Sequence, residues 1–302
     1  MTSITPEFAG WVSPAGRLHY AFRRGGETMP LTNPLPQGAR ERALALCLAV
    51  SAEPTPSPAE QERLFAELDE LLFGVDEEFT RWILEHPQFR PIEERLHEIR
   101  AEYEYDRERD LARALVAAGD ESPLASFRSA GWYEEAHKFE LDALAPYAPQ
   151  RLLVVGGGPF PTTALSFMHA HPGASVACIE LRAEAYTLAT QVARISNCEG
   201  LQVIHGDALK FEDFSDYDCV LVGTIVGVSA AEKRRVVEHF LKFVPASTLL
   251  ILRTAIGPGR VVYPSVDLNQ LAGIAYRVLA DPPQETFTMI ITDRADRHER
   301  ES

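Results

Sequence analysis

The chain has 302 residues, of which 46% are hydrophobic, and a formal net charge of −15; that length supports a well-buried core and predicts two domains. The excess of acid argues against nucleic acid as a partner, because binding the phosphate backbone needs clustered Lys and Arg. No apolar run is long enough to span a membrane, and four scattered cysteines without a C-x-x-C pair predict reduced thiols rather than disulfides or metal ligands.

In chain order, residues 1–40 carry many Pro and Gly and little periodicity, which predicts an irregular arm. Their opening, MTSITPEFAGW, has no basic-then-apolar signal, so a cytoplasmic setting is expected. A helix is predicted over 41–50. The segment SAEPTPSPAE is a break that places Pro58 in the first turn of the next helix. Leu64, Phe65, Leu68, Leu71 and Leu72 give helical spacing within 59–74, and Phe79, Trp82, Ile83 and Leu84 continue it until Pro87. Pro91 opens a long, charge-rich helix over 92–118. Residues 1–147 are therefore expected to form an all-helical domain.

Pro146 and Pro149 mark a boundary, and the second domain is expected over 148–302. Its predicted strands are 151–155, 175–179, 201–204, 218–223, 248–253 and 287–292. Helices fit 162–170, 183–196, 230–243 and 267–273. Strands alternating with helices predict an α/β fold with a parallel, Rossmann-like sheet that binds its ligand at the carboxyl ends of the strands.

The most informative stretch is RLLVVGGGPFPTT, residues 151–163. Its apolar run reads as a buried parallel strand, and its three glycines read as a turn where backbone approaches a ligand. Pro161 stands where G-x-G-x-x-G would need its last glycine, which suits a ligand without pyrophosphate. Glu180 ends the second strand, where a carboxylate can accept both ribose hydroxyls of a nucleoside. Asp207 follows the third strand, where an acid can bind the adenine amino group. A glycine turn followed by these two acids is the layout of Rossmann-like S-adenosylmethionine enzymes. Nicotinamide enzymes share the first two features and have less reason for the third.

The sequence resembles the nicotianamine synthase family and its bacterial relatives, the histidine aminobutanoyltransferases of opine-type (staphylopine- and pseudopaline-type) metallophore synthesis. The family's G-S-G-P-L-P turn is matched by Gly156-Gly157-Gly158-Pro159-Phe160-Pro161. The segment Leu252-Arg253-Thr254-Ala255-Ile256-Gly257, followed by Arg260, Tyr263 and Pro264, matches a second family motif, and Val222 to Gly227 with Glu232-Lys233 a third. Glu102, Glu104 and Glu108 keep the spacing of its E-x-E-x-x-x-E helix. Its F-P-Y-Y-x-N-Y segment is matched loosely by Phe127 to Tyr133, with Glu140 as the acid seven residues on. The chain departs from the family at Ile256, where the motif has His, and in the Tyr pair and Asn before Tyr133. The resemblance therefore implies a bacterial member with one different amine acceptor.

The resemblance implies S-adenosylmethionine as co-substrate and no metal. It implies transfer of the 3-amino-3-carboxypropyl group to the amine of an amino acid, histidine or similar, with release of methylthioadenosine. Glu104 or Glu108 would be the general base with Tyr133 beside it. Gly156, Gly157, Gly158, Pro159, Glu180, Asp207, Ala208, Thr224 and Arg253 would bind the cofactor, and Arg260, Tyr263 and Glu140 the acceptor. An opine dehydrogenase is the downstream partner such pathways imply; a homodimer is left open. Lys233 reads as structural or solvated, and His137 and His239 as exposed or internally bonded. Two alternatives remain open: a small-molecule methyltransferase using the same cofactor, and a non-catalytic binding module.

Overall fold

A computed structural model of the chain describes residues 38–72, 75–126, 130–280 and 288–293, together with four two-residue strands: β1 (Trp11–Val12), β2 (Leu18–His19), β3 (Arg23–Arg24) and β4 (Glu27–Thr28). Within the expected arm, β1 pairs with β2 and β3 with β4, both antiparallel.

The helical half begins with α1 (Ala39–Val50) and α2 (Pro58–Leu72). Pro58 takes the first helical position, where its missing N–H costs nothing. In α3 (Glu77–Glu85) the Asp76 side chain accepts a hydrogen bond from Phe79 N at 2.7 Å, closing the helix start. The long α4 (Glu93–Ala118) ends where Gly119 turns left-handed at φ 75°. A further helix, α5 (Ala130–Leu144), leads to the proline boundary.

Beyond it lie β5 (Arg151–Val155), α6 (Thr162–Ala170), β6 (Ser175–Glu180), α7 (Ala183–Ile195), β7 (Gln202–His205), β8 (Cys219–Val222), α8 (Ala230–Phe243), β9 (Leu249–Thr254), β10 (Ala275–Ala280) and β11 (Thr288–Asp293). The seven strands from β5 onward form one sheet in the order β10-β11-β9-β8-β5-β6-β7. Strands β5 to β9 pair in parallel, while β11 runs antiparallel to both of its neighbours. The α/β Rossmann-like class holds, with two differences from the expected sheet. The strand at β11 is reversed, and β10 was not foreseen. The helix expected over 267–273 is a single tight turn at Leu268–Leu271, and Gly273 at φ 77° redirects the chain into β10.

Strand β5 lies inside the sheet, between β8 and β6, and serves both faces. Leu152 and Val154 join a core cluster with α4, α6 and α7, whereas Leu153 and Val155 join one with α8. The two halves also share cores. Leu96, Ile99 and Tyr103 of α4 pack with α1 to α3 and with Val261 and Val262, while Leu111, Ala112 and Leu115 of the same helix pack on the sheet. Helix α4 is thus a beam between the halves. All four cysteines are buried and free. Among the described residues, no helix is long and apolar enough to cross a membrane.

Candidate active site

Strand order reverses between β5, followed in sequence by its neighbour β6, and β8 on its other side, so the topological switch point lies at the carboxyl end of β5. The glycine turn stands there. Gly156 and Gly158 adopt φ of 80° and 67°, which side-chain-bearing residues rarely reach. A Cβ on Gly156 would meet Val226 Cγ2 at 2.6 Å, and one on Gly157 would meet Cys178 Sγ at 3.0 Å. Gly156 N donates to Ile179 O at 3.0 Å, tying the turn to β6.

Above the turn opens a cavity of about 1060 Å³, walled by α2, α4 and α5 on one side and by the carboxyl ends of β5, β6, β8 and β9 on the other. Its size is at the upper end of what one ligand fills, and leaves room for a nucleoside and a second small molecule. Nine carboxylates line it (Glu62, Asp69, Glu98, Glu102, Glu104, Glu108, Glu180, Asp207 and Glu232) against five arginines. Such a wall favours a cationic ligand.

Glu180 is buried at the end of β6. Its two oxygens accept from Gly158 N and Arg182 N, each at 2.9 Å, which fixes both oxygens at the cavity wall beside the turn. Asp207 accepts from Leu209 N at 3.0 Å and lines the cavity together with Ala208. Arg182 reaches from the end of β6 to α4, pairing with Glu102 and lying 4.0 Å from the centre of the Tyr105 ring.

Glu104 and Glu108 share one face of α4 and both face the cavity. Glu108 Oε2 lies 2.6 Å from the Cβ position of Gly158. Glu104 Oε1 accepts from the Tyr263 hydroxyl and from Arg100 Nε at 2.7 Å. Arg100 Nη2 donates to the Tyr263 hydroxyl at 2.8 Å, and Arg100 Nη1 to both oxygens of Asp69 at 2.9 and 3.0 Å. Burial pushes the Tyr263 phenol well above its ordinary pKa, so it stays a donor. Burial works against the charge of Arg100, but Tyr263, Asp69 and Glu104 hold the guanidinium charged. Sequence reasoning missed Arg100 and Asp69. The i,i+4 spacing of Arg100 and Glu104 was the available signal; nothing local pointed to Asp69.

The remaining expected residues are placed less directly. Thr224 and Arg253 line the cavity, and Glu140 does not. Glu140 is 3% exposed and lies behind Arg253 in a buried ion pair; Arg253 Nη2 also donates to Thr163 Oγ1 at 2.5 Å. This corrects Glu140 from a wall residue to the support of one. Arg260 points away, pairing with Glu77 of α3 at 2.5 Å, because the turn after β9 packs on that helix. Pro159 is buried beneath the turn rather than lining the cavity. Tyr133 falls within α5, but its side chain lies outside the described residues, as do Phe127 to Ser129.

Lys233 is 2% exposed, not solvated. Its Nζ donates to the carbonyls of Thr224 and Val226 at 2.5 and 2.7 Å, pinning the loop after β8 against the glycine turn. Burial lowers its pKa to about 7, opposed by Glu232. His137 is buried beside Arg253 and bonded to Ser166 Oγ at 3.0 Å; burial and then the Arg253 charge lower its pKa to about 3. His239 is bonded to Phe211 O at 2.9 Å. Among the described residues, no group of three or more His, Cys, Asp or Glu is placed to hold a metal.

Comparison with known proteins bears on what this cavity is. The family model described as "Nicotianamine synthase protein" matches residues 42–299. The chain is 25% identical over 191 residues to nicotianamine synthase 2 of Arabidopsis thaliana, an alignment that covers 60% of each protein. It is 28% identical over 272 residues to nicotianamine synthase 2 of Oryza sativa subsp. japonica, covering 84% of this chain and 81% of the rice protein. Matches to the first curated relatives, such as the 45% covered of nicotianamine synthase 9 of Hordeum vulgare, span less than two thirds of those proteins. Among solved structures, MtNAS in complex with MTA and tNA superposes with a TM-score of 0.72 at 20% identity, covering 86% of this chain and 98% of that one. A mutant of MtNAS in complex with S-adenosylmethionine gives the same values. At that identity the likeness establishes the fold. With the family match over 42–299, the chain belongs to the nicotianamine synthase family.

Proposed function

We propose that the protein transfers the 3-amino-3-carboxypropyl group of S-adenosylmethionine to the amine of an amino acid and releases methylthioadenosine. One observation carries the reading: Glu104, Tyr263 and Glu108 stand in the same acid-lined cavity as the glycine turn. Solved MtNAS structures with S-adenosylmethionine and with MTA support it.

The residues present fit such a co-substrate. The turn would crowd out a Cβ, Glu180 stands where ribose hydroxyls need an acceptor, and the carboxylates offset a sulfonium. The bound co-substrate supplies an activated carbon: a new N–C bond forms as the C–S bond breaks, and the amine gives up one proton.

The protein aligns the two reactants and excludes water between its halves. Glu104 and Glu108 hold the acceptor's ammonium, and one of them removes its proton, because only the neutral amine has a lone pair to attack with. Tyr263 donates to Glu104 and keeps that carboxylate oriented. Arg253, supported from behind by Glu140, offers the cavity a cation for a carboxylate. Tyr133 remains a proposed neighbour of the base.

We further propose that histidine or a similar amino acid is the acceptor and that the product is an opine-type metallophore precursor consumed by an opine dehydrogenase. This rests on the departures at Ile256 and before Tyr133. Incubation with S-adenosylmethionine and a panel of amino acids, followed by chromatography, tests the whole. Methylthioadenosine with an aminobutanoylated amino acid is expected; S-adenosylhomocysteine would make the protein a methyltransferase instead.

A further inference from the structure

The two glutamates proposed for proton removal differ in what surrounds them. Glu108 lies against the glycine turn. Glu104 belongs to a built constellation whose centre is a different residue, Arg100. The Arg100 guanidinium comes from one turn earlier on α4 and is only 10% exposed. It contacts three side chains from three parts of the chain: Asp69 on α2, Glu104 on α4 and Tyr263 after β9. The rings of Phe65, Tyr263 and Tyr103 surround it, with centroids at 4.9, 5.0 and 5.8 Å. All four polar members of the constellation face the cavity.

We infer that Arg100, held by Asp69, is a positioning residue that locks the Glu104 carboxylate and the Tyr263 hydroxyl into one fixed acceptor-binding pair. The geometry requires a fork. Nε reaches Glu104 and Nη2 reaches Tyr263, while Nη1 is anchored on Asp69 from the opposite side. A guanidinium supplies donors along three fixed directions, whereas an ammonium is a single point with a flexible stem. Without the fork, the hydrogen bond from the Tyr263 hydroxyl to Glu104 would still join the two groups, but nothing would fix that pair against the rest of the cavity. Misplacement of a reacting group by about 1 Å costs on the order of 100-fold in rate. The glycine turn and Glu180, which would hold the nucleoside, are not bonded to this constellation. Arg100 therefore acts on the acceptor side of the cavity, leaving the nucleoside side as it is.

This inference rests on the function proposed above, and its test separates the two. Arg100→Lys keeps the charge that Asp69 needs and removes the fork. With the wild-type protein releasing methylthioadenosine, Arg100→Lys is expected to lower kcat by about 10- to 100-fold and to leave the S-adenosylmethionine dissociation constant, measured by calorimetry, within about 3-fold. Asp69→Asn, which loosens the anchor but keeps the fork, is expected to give a smaller loss in the same direction. The inference is overturned if Arg100→Lys keeps kcat within 2-fold, or if cofactor binding falls as much as turnover, as a general loss of structure would cause. If Arg100→Lys does not fold, Asp69→Asn alone decides between the same two outcomes. If the wild-type protein releases no methylthioadenosine, the functional reading fails. Arg100 is then judged by calorimetry of histidine and alanine binding in the presence of methylthioadenosine. Binding that weakens in the variant sustains the positioning role; binding that is absent or unchanged ends it.

Discussion

Glu108 Oε2 lies 2.6 Å from the point at which a Cβ on Gly158 would stand. The acid of the long helix therefore rests directly on the turn that follows β5, and the missing side chain of Gly158 is what lets the two halves of the cavity meet there.

Gly158→Ala is expected to fail at both ends of this contact. The left-handed backbone at φ 67° costs a side-chain-bearing residue about 1 kcal/mol, and the new methyl displaces Glu108. Calorimetry should find S-adenosylmethionine binding weakened at least 10-fold, with a modest fall in the urea midpoint. Near-normal binding would mean that the turn does not hold the nucleoside.

Glu104→Gln and Glu108→Gln preserve shape and remove charge. Each is expected to keep cofactor binding. The variant at the proton acceptor should lose about 100- to 10,000-fold in turnover, the range for a positioned general base, and the other should lose less. Release of methylthioadenosine in single-turnover experiments measures both. Two variants reacting at the wild-type rate would remove these acids from the mechanism.

Lys233 makes a prediction about pH. Burial holds its folded-state pKa at about 7, below the ordinary lysine value of 10.5. Between those values the unfolded chain binds a proton that the native protein does not, so this group makes stability rise with pH from about 7 towards 10. The slope it contributes is at most about 1.4 kcal/mol per pH unit. Lys233→Met lacks the term. The stability of the wild-type protein relative to the variant should therefore increase across that window in urea titrations; a constant difference would show that Lys233 keeps its proton.

Glu140→Ala takes the carboxylate from a buried arginine. Losing one partner of a buried ion pair costs about 3 to 5 kcal/mol, and Glu140 is 3% exposed. A large drop in the urea midpoint is expected, accompanied by weaker acceptor binding as Arg253 loses its support. A variant as stable as the wild type would mean that the pair contributes only to placement.

Much of the fold was legible because its signals are local. The apolar run Leu152 to Val155 is short, rich in β-branched residues at its end and followed at once by glycines, which favours a buried strand and a turn, and prolines at 58, 87 and 146 punctuate the elements they open or end. Strand β10 was not legible. It is an exposed edge strand whose apolar residues are interrupted by Arg277, so neither a continuous apolar run nor a clean alternation marks it. The direction of β11 was hidden too, since composition does not encode whether a neighbour runs parallel or antiparallel.

The same division holds in the cavity. Sequence alone determined the glycine turn and the acids at the ends of β6 and β7, because a strand places its last residue at a predictable edge, and it determined that Glu104 and Glu108 share a face, because helical spacing is fixed. Only the tertiary structure decided that Asp69, Glu104 and Tyr263 meet at Arg100, that Glu140 backs Arg253, that Arg260 turns outward to Glu77, and that Lys233 is buried. Each of these depends on side chains brought together across 31 to 183 residues of chain or on which face a helix buries. For the buried groups the reason is the cost of leaving a charge or polar atom unpaired away from water, which depends on what the fold packs against it and which no local pattern carries.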